Sequence, residues 1–563
     1  MTSSPLLPVS HHPLLRQWWL RHLRLAGWQI LAVLLFSLGG QVLAVLLPVS
    51  LGQSLGQWMG YRSLRGQWLA GWLPGWFDTP WQVLGMFGAM LLAKALFDLG
   101  FRYLRARIGL RMTVDLQRML FAKHLRTSIS TYHQRGSSRY LLRWSGDLRG
   151  VRQWIAQGVF QLLADALLLT LAVVWLGVWQ PYLLMLWLPA WLLAIVGAVW
   201  LGQGLHRASS RQRDTRSRVL KFVAQRLAAM ESVQAFNRQV PEQQRLDTLL
   251  ERQQQDDLRY ARWHSFMQAL APAMVYSLLG ILLITALLMP QSDPLRLLPA
   301  VLLVLSLTPV CRRLLRVVIY WADGHVACQK IGQLLDAAEG HSGSQPLVFR
   351  RGELQVEGVV FTYPGQVLPI ELPTLRTQGP GLYHWSMGMG EGRTTLLRLL
   401  TGLYQPQQGQ ILIDGQRSDT LTPDSLRRHI AVVSEAWPLL GRNVFEAISY
   451  SRKASKRDKA QRWLDRLQAA LPPSQRLELD DPIGEGGCLL SLSQRRILSY
   501  ARAMLTRKPI LVVEDPWLGL SPQARAVVEP LLQAYAQDRS VVLLGACATT
   551  DTYFASATRV FSP

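Results

Sequence analysis

Six apolar runs limit what this chain can become. They lie at about 28–52, 81–104, 154–178, 181–202, 266–289 and 295–318. Each is long enough to cross a bilayer, which takes about 20 residues in a helix. The predicted first half is therefore an all-α transmembrane domain of six helices. The segments between the runs alternate in charge. The segment 53–80 holds only Arg62 and Arg65, whereas 105–153 and 203–265 each hold about a dozen Lys and Arg. Basic loops stay on the cytoplasmic side, so both of those segments, both chain ends and the second half are expected in the cytoplasm.

Composition supports a membrane protein over a nucleic-acid binder. The net charge is +24, yet 49% of the 563 residues are hydrophobic. A basic protein that binds nucleic acid is not usually so apolar, so no nucleic-acid partner is expected. The 21 Trp fit a chain that meets two membrane interfaces. The N-terminal segment is polar and basic, and the first apolar run is too long for the core of a cleavable signal. Residues 1–27, with Arg16, Arg21 and Arg24 among aromatics and leucines, read as a cytoplasmic amphipathic lead-in. The four cysteines are scattered and suggest neither a disulfide framework nor a zinc site.

Residues 28–322 form the predicted transmembrane domain. Its inner segments carry helical periodicity, for example over 112–126 and 219–236, so the membrane helices should extend into the cytoplasm as two long hairpins. Polar stretches at 127–138 and 231–241 read as their elbows. Three ionisable residues within the spans stand out: Lys94 and Asp98 in the second, Asp165 in the third. Such groups are costly in a membrane unless paired. Lys94 and Asp165 fall at similar depths, which predicts an ion pair between them. A polar, Gly- and Ser-containing linker over 323–348 ends this half.

From 349 to 563 the pattern changes to short strands alternating with helices, which predicts an α/β sheet with a ligand at the strand ends. Its centre is the stretch Met387, Gly388, Met389, Gly390, Glu391, Gly392, Arg393, Thr394, Thr395. An apolar strand precedes it and a helical pattern follows. Such a loop turns backbone N–H groups toward phosphate oxygens at a helix N-terminus. The phosphate-binding pattern is G-x-x-x-x-G-K-[ST]. Met387 replaces its first Gly and Arg393 its Lys.

The order of motifs around this loop resembles that of an ABC transporter half of the exporter type, with six spans fused to one nucleotide-binding domain. The sequence Phe361-Thr362-Tyr363-Pro364 resembles the aromatic loop. Residues 387–395 resemble Walker A. Val433-Ser434-Glu435 falls at the Q-loop. Ser491-Leu492-Ser493-Gln494 resembles the signature, Ile510 to Asp515 Walker B, and Cys547 falls at the H-loop. The resemblance implies ATP and Mg²⁺ as ligands. Tyr363 would stack on adenine, and residues 387–395 would hold the phosphates. Thr394, Glu435 and Glu514 would hold the metal. Asp515, Glu514, Glu435 and Cys547 would take the catalytic positions. The signature would face a partner's nucleotide.

The departures from the family pattern are informative. Arg393 keeps the charge of the usual Lys but is a planar fork, not a point charge. Glu435 stands for Gln. Glu514 and Asp515 reverse the usual Asp-Glu, leaving one carboxylate longer and the other shorter than the chemistry uses. Cys547 replaces His and is a weak donor. Leu492 and Ser493 replace two glycines at a point of close backbone approach. Phosphoryl transfer depends on positioning, so together these changes predict weak ATP binding and impaired hydrolysis. A second, different ABC half is the favoured partner in the bilayer. The alternatives are an active homodimeric exporter and a membrane scaffold or nucleotide sensor that does not transport.

Overall fold

The computed structural model describes residues 12–58, 80–135, 140, 143–179, 181–288, 301, 304–305, 308–340, 343–388, 390–545 and 559–561. Arg62, Arg65, Met389 and Cys547 lie outside them. The chain divides into two units, one of residues 1–125 and 136–336, the other of residues 126–135 and 337–563.

The first unit is helical. It holds α1 (Pro13–Leu25), α2 (Gly27–Trp58) and α3 (Pro80–Arg126), whose last residue begins the second unit. Two π-helical segments (Arg143–Asp147, Trp154–Phe160) then flank a short helix (Leu148–Gln153) and lead into α4 (Gln161–Trp179). Three long helices follow, α5 (Pro181–Ala228), α6 (Gln239–Leu288) and α7 (Thr308–Leu335), with a six-residue helix at Met230–Ala235 between α5 and α6. Among the described residues, Gly27–Leu47, Leu84–Arg126 and Leu148–Val174 are long and apolar enough to cross a membrane. Leu92, Leu96 and Leu99 on α3 are each about two-thirds exposed. A row of bare leucines of this kind suits lipid rather than water.

Packing inside this unit relies on large rings set against glycines. Trp154 is fully buried, and a Cβ on Gly324 would lie 2.5 Å from it. Trp321 Nε1 donates to the Gly158 carbonyl at 3.0 Å, within the second π-helical segment. Helix α1 buries Leu15, Trp18 and Trp19, while Arg16, Arg21 and Arg24 stay exposed.

The predicted pairing of Lys94 with Asp165 is not found. Lys94 Nζ instead donates to Asp98 at 2.7 Å, one turn along the same helix. Asp165 is fully buried and is bound by Arg313 of α7, with Nε at 3.0 Å from both carboxylate oxygens and a terminal nitrogen at 2.7 Å. Gln161 donates to the same carboxylate at 3.0 Å, and Arg105 donates to Gln161. A guanidinium satisfies both oxygens of a carboxylate at once, which an ammonium cannot.

The second unit is α/β. The elbow at 127–138 is not merely a turn: α8 (Ile129–Arg135) forms there, and Ser128 N donates to the Ala338 carbonyl at 3.1 Å. One antiparallel sheet has the order β2-β1-β5-β6, with β3 also paired to β1. Its strands are β1 (Leu354–Phe361), β2 (Ile370–Glu371), β3 (Leu375–Arg376), β5 (Gln408–Ile413) and β6 (Gln416–Arg417). The second sheet is parallel, in the order β10-β4-β9-β8-β7. It comprises β4 (Gly381–Ser386), β7 (Ile430–Val433), β8 (Ile510–Glu514), β9 (Ser540–Gly545) and β10 (Arg559–Phe561). Residues such as Val512, Val513, Val541 and Val542 are fully buried, as expected for parallel strands covered on both faces. Helices α9 (Arg393–Leu400) and α10 (Leu492–Leu505) serve the site below.

Candidate functional site

Four neighbouring strands of the parallel sheet end at one place. Strand β4 leads into Met387, β7 into Ser434, β8 into Asp515, and β9 ends at Gly545. Their registers are tied: Ser386 pairs with Gly545, and Val433 with Val513. The carboxyl ends of parallel strands are where open α/β sheets bind ligands.

The glycine loop folds as its sequence requires. Gly390 and Gly392 have φ of +89° and +86°, values that side-chain-bearing residues seldom adopt. A Cβ on Gly392 would lie 2.7 Å from Ile370, so that glycine is needed for space as well. Among the described residues, chain neighbours aside, no atom lies within 4 Å of a Cβ on Gly390, so the loop is open to them there. Met387, at the pattern's first Gly, points into the core and is fully buried. Gly388 N donates to the Glu391 carboxylate, so a side chain of the loop takes one of the N–H groups that phosphates use.

Arg393 does not point freely into the loop. Its side chain is buried. Its Nε donates to the Met387 carbonyl at 2.7 Å, and its fork also reaches that carbonyl and the Asp515 carboxylate. Thr394 Oγ1 donates to Glu514 at 2.5 Å, and Ser434 donates to the other Glu514 oxygen. Asp515 has φ of +45°, a left-handed conformation that Asp tolerates better than most residues. Arg496 of α10 donates to the main-chain carbonyls of both Glu514 and Asp515. His384 on β4 is buried, and both burial and the Arg393 charge lower its pKa.

The adenine-side candidate, Tyr363, follows β1 and is bonded to the loop helix α9. Tyr363 packs edge-on against Phe361 and Tyr404, at ring distances of 5.0 and 5.5 Å. Its hydroxyl is 3.0 Å from Thr395 Oγ1 and accepts from Arg398 at 2.9 Å. At the signature, Ser491 caps α10 through Gln494 N, and Gln494 returns a bond to Ser491 N at 2.8 Å. Ser493 Oγ donates to the Gly519 carbonyl at 2.6 Å. Leu492 is 37% exposed and packs so closely on Gly519 that a Cβ there would meet it at 2.6 Å. Glu435 is exposed on the loop after β7. Sequence reasoning gave no role to Ser434, Arg398 or Arg496. Only Ser434 lies inside a motif it named.

The donor set fits a hard cation beside a phosphate chain. Thr394 and Glu514 offer a hydroxyl and a carboxylate, the usual ligands of Mg²⁺. Such an ion would neutralise phosphate charge. The fit for the phosphates is poorer, because Arg393 is committed to Met387 and Asp515, and Glu391 to Gly388. Removing that internal anion is expected to help. Glu391→Ala should tighten binding of a fluorescent ATP analogue about fivefold. A titration showing equal affinity would refute competition by Glu391.

Residues 30–303 match the ABC transporter transmembrane region, and residues 388–517 match the ABC transporter family. The chain is an ABC exporter half transporter. Among its relatives is the ATP-dependent lipid A-core flippase of Dechloromonas aromatica, 26% identical over 83% of this chain and 80% of the relative. Another is the flippase of the same name from Alkalilimnicola ehrlichii, 23% identical over 95% of this chain and 91% of the relative. The fold is similar to a bacterial Atm1-family ABC exporter solved with ATP bound. The TM-score is 0.79 and the identity 18%, over 95% of this chain and 94% of that one. The half transporter is accordingly an integral membrane protein with a cytoplasmic nucleotide-binding domain. That domain binds ATP with Mg²⁺, and exporters of this type act as dimers.

Proposed function

We propose that this half transporter moves a lipid-like amphiphile as part of a heterodimer, with its own hydrolytic residues impaired. One observation carries the reading. The Walker residues are engaged with one another: Arg393 with Asp515, and Thr394 with Glu514. Asp515, the residue that would polarise water, is short for the task and already holds a guanidinium. The nucleotide loop nevertheless stays open at Gly390, which supports weak binding without turnover. A damaged Walker set and a damaged signature would leave a defect in both composite sites of a homodimer. An unlike half would restore one component of each. The substrate class comes from the flippase relatives.

The test uses the purified chain reconstituted alone. Phosphate release is expected at background, and Asp515→Asn should leave it unchanged. Ordinary enzyme turnover, about 1–10³ s⁻¹, that Asp515→Asn abolishes would make this an active homodimeric exporter instead. Native co-purification should recover a second, different ABC half.

A further inference from the structure

The nucleotide-binding unit contains a cavity of about 90 Å³ between the loop after β7 and the start of α10. Ser434, Glu435, Trp437, Leu492, Arg495 and Arg496 are among the residues that line it. Two charged side chains of opposite sign share this wall without touching. Arg495 Nε and Arg496 Nε are both buried and find no hydrogen-bond acceptor among the described residues. Arg496 spends its terminal nitrogen on the carbonyls of Glu514 and Asp515. Among the described residues, neither Arg495 nor Glu435 makes a side-chain hydrogen bond or ion pair.

The surroundings explain why the pair matters. Three acidic residues cluster at the strand ends: Glu435, Glu514 and Asp515. Asp515 has Arg393 as its counter-ion, and Glu514 is solvated by Thr394 and Ser434. Glu435 follows Ser434 directly in sequence, so its backbone is fixed beside the metal-binding hydroxyl and carboxylate. A third carboxylate aimed there would be repelled by the other two. A buried guanidinium nitrogen without an acceptor is also costly. One rearrangement relieves both costs.

We propose that Arg495 is a positioning residue that draws the Glu435 carboxylate into this cavity and away from the metal side of the site. The device needs neither nucleotide nor turnover, so it stands independently of the proposed function above. It also accounts for a carboxylate at a position where the family carries a neutral amide. The extra charge is directed to α10 and ties the loop after β7 to the signature helix.

The test is a double-mutant cycle on the full-length chain in detergent, without nucleotide. Glu435→Gln and Arg495→Gln should each lower the thermal midpoint by about 1–3 °C, and the double variant should fall no lower than the worse single one. The coupling should shrink in about 1 M NaCl. The exchanged pair, Glu435→Arg with Arg495→Glu, should recover the loss. A second readout uses Mn²⁺ as a probe, followed by its paramagnetic signal. Arg495→Gln should strengthen Mn²⁺ binding about two- to fivefold when Glu435 is present, and not in the Glu435→Gln background. Additive midpoints, or Mn²⁺ affinity that Arg495→Gln leaves unchanged, would overturn the proposal. If Arg495→Gln does not fold, Arg495→Lys serves instead. It keeps the charge and should behave as the parent, and a lowered midpoint for it overturns the proposal equally.

Discussion

Replacing Asp165 by Ala is expected to destabilise the membrane unit by about 3–5 kcal/mol, the usual cost of leaving one partner of a buried ion pair behind. Asp165 is fully buried and receives three contacts from Arg313 and one from Gln161. Without it the Arg313 charge has lost its acceptor on α4, and Gln161 has lost its own. Arg105 reaches the same network through Gln161, so three side chains are disturbed by one change. Asp165→Asn combined with Arg313→Gln removes both charges at similar volume and should recover much of the loss. Lys94→Met should cost far less, because the Lys94–Asp98 pair is within one helix and partly exposed. Expression level and urea unfolding of the purified variants check these points. If the double change is no milder than Asp165→Ala, the network does not act as a pair.

That network marks where the sequence stopped being legible. The residues were visible as ionisable groups in apolar runs. Depth along a span can be counted from residue numbers, which is why Lys94 and Asp165 looked matched. Which side of a helix faces a neighbour cannot be counted, because it depends on how six helices pack. Arg313 is 148 residues from Asp165, near the end of the last apolar run and between Arg312 and Arg316. Read alone, this basic trio is an ordinary flanking cluster. The helix at 129–135 escaped for another reason. Seven mostly polar residues hold fewer than two turns, too few for a period to show. The parallel strands were legible because buried strands are continuous apolar runs bounded by turn residues; β9, Ser540–Gly545, is one such run. In the nucleotide site, chain order revealed each motif, but not that Arg393 and Asp515, 122 residues apart, would pair with one another. Family position says where a side chain starts. Its reach and its competing partners decide where it ends.

The largest expected effect follows from that competition. Reverting the departures together should raise phosphate release by about three orders of magnitude over the parent chain. The variant carries Arg393→Lys, Glu435→Gln, Glu514→Asp, Asp515→Glu, Leu492→Gly, Ser493→Gly and Cys547→His. Misplacement by about 1 Å can cost a hundredfold in a reaction that relies on positioning, and several of these changes each correct a displacement of that order. Single reversions should do little. Asp515→Glu alone lengthens the carboxylate but leaves Arg393 beside it to hold it. Arg393→Lys alone frees the loop but leaves a carboxylate too short to polarise water. Residues that act as a unit are non-additive, so the gain should appear only when both are changed together. The glycines at 492 and 493 add to it only in a dimer, where a second chain presents its nucleotide. Phosphate release measured against protein concentration separates these contributions. If the seven-fold variant folds, binds nucleotide and still releases phosphate within tenfold of the parent, the substitutions are not what limits this domain. If the parent already turns over as fast as the variant, Arg393 and Asp515 must separate when nucleotide binds, and the pairing seen here is a resting contact.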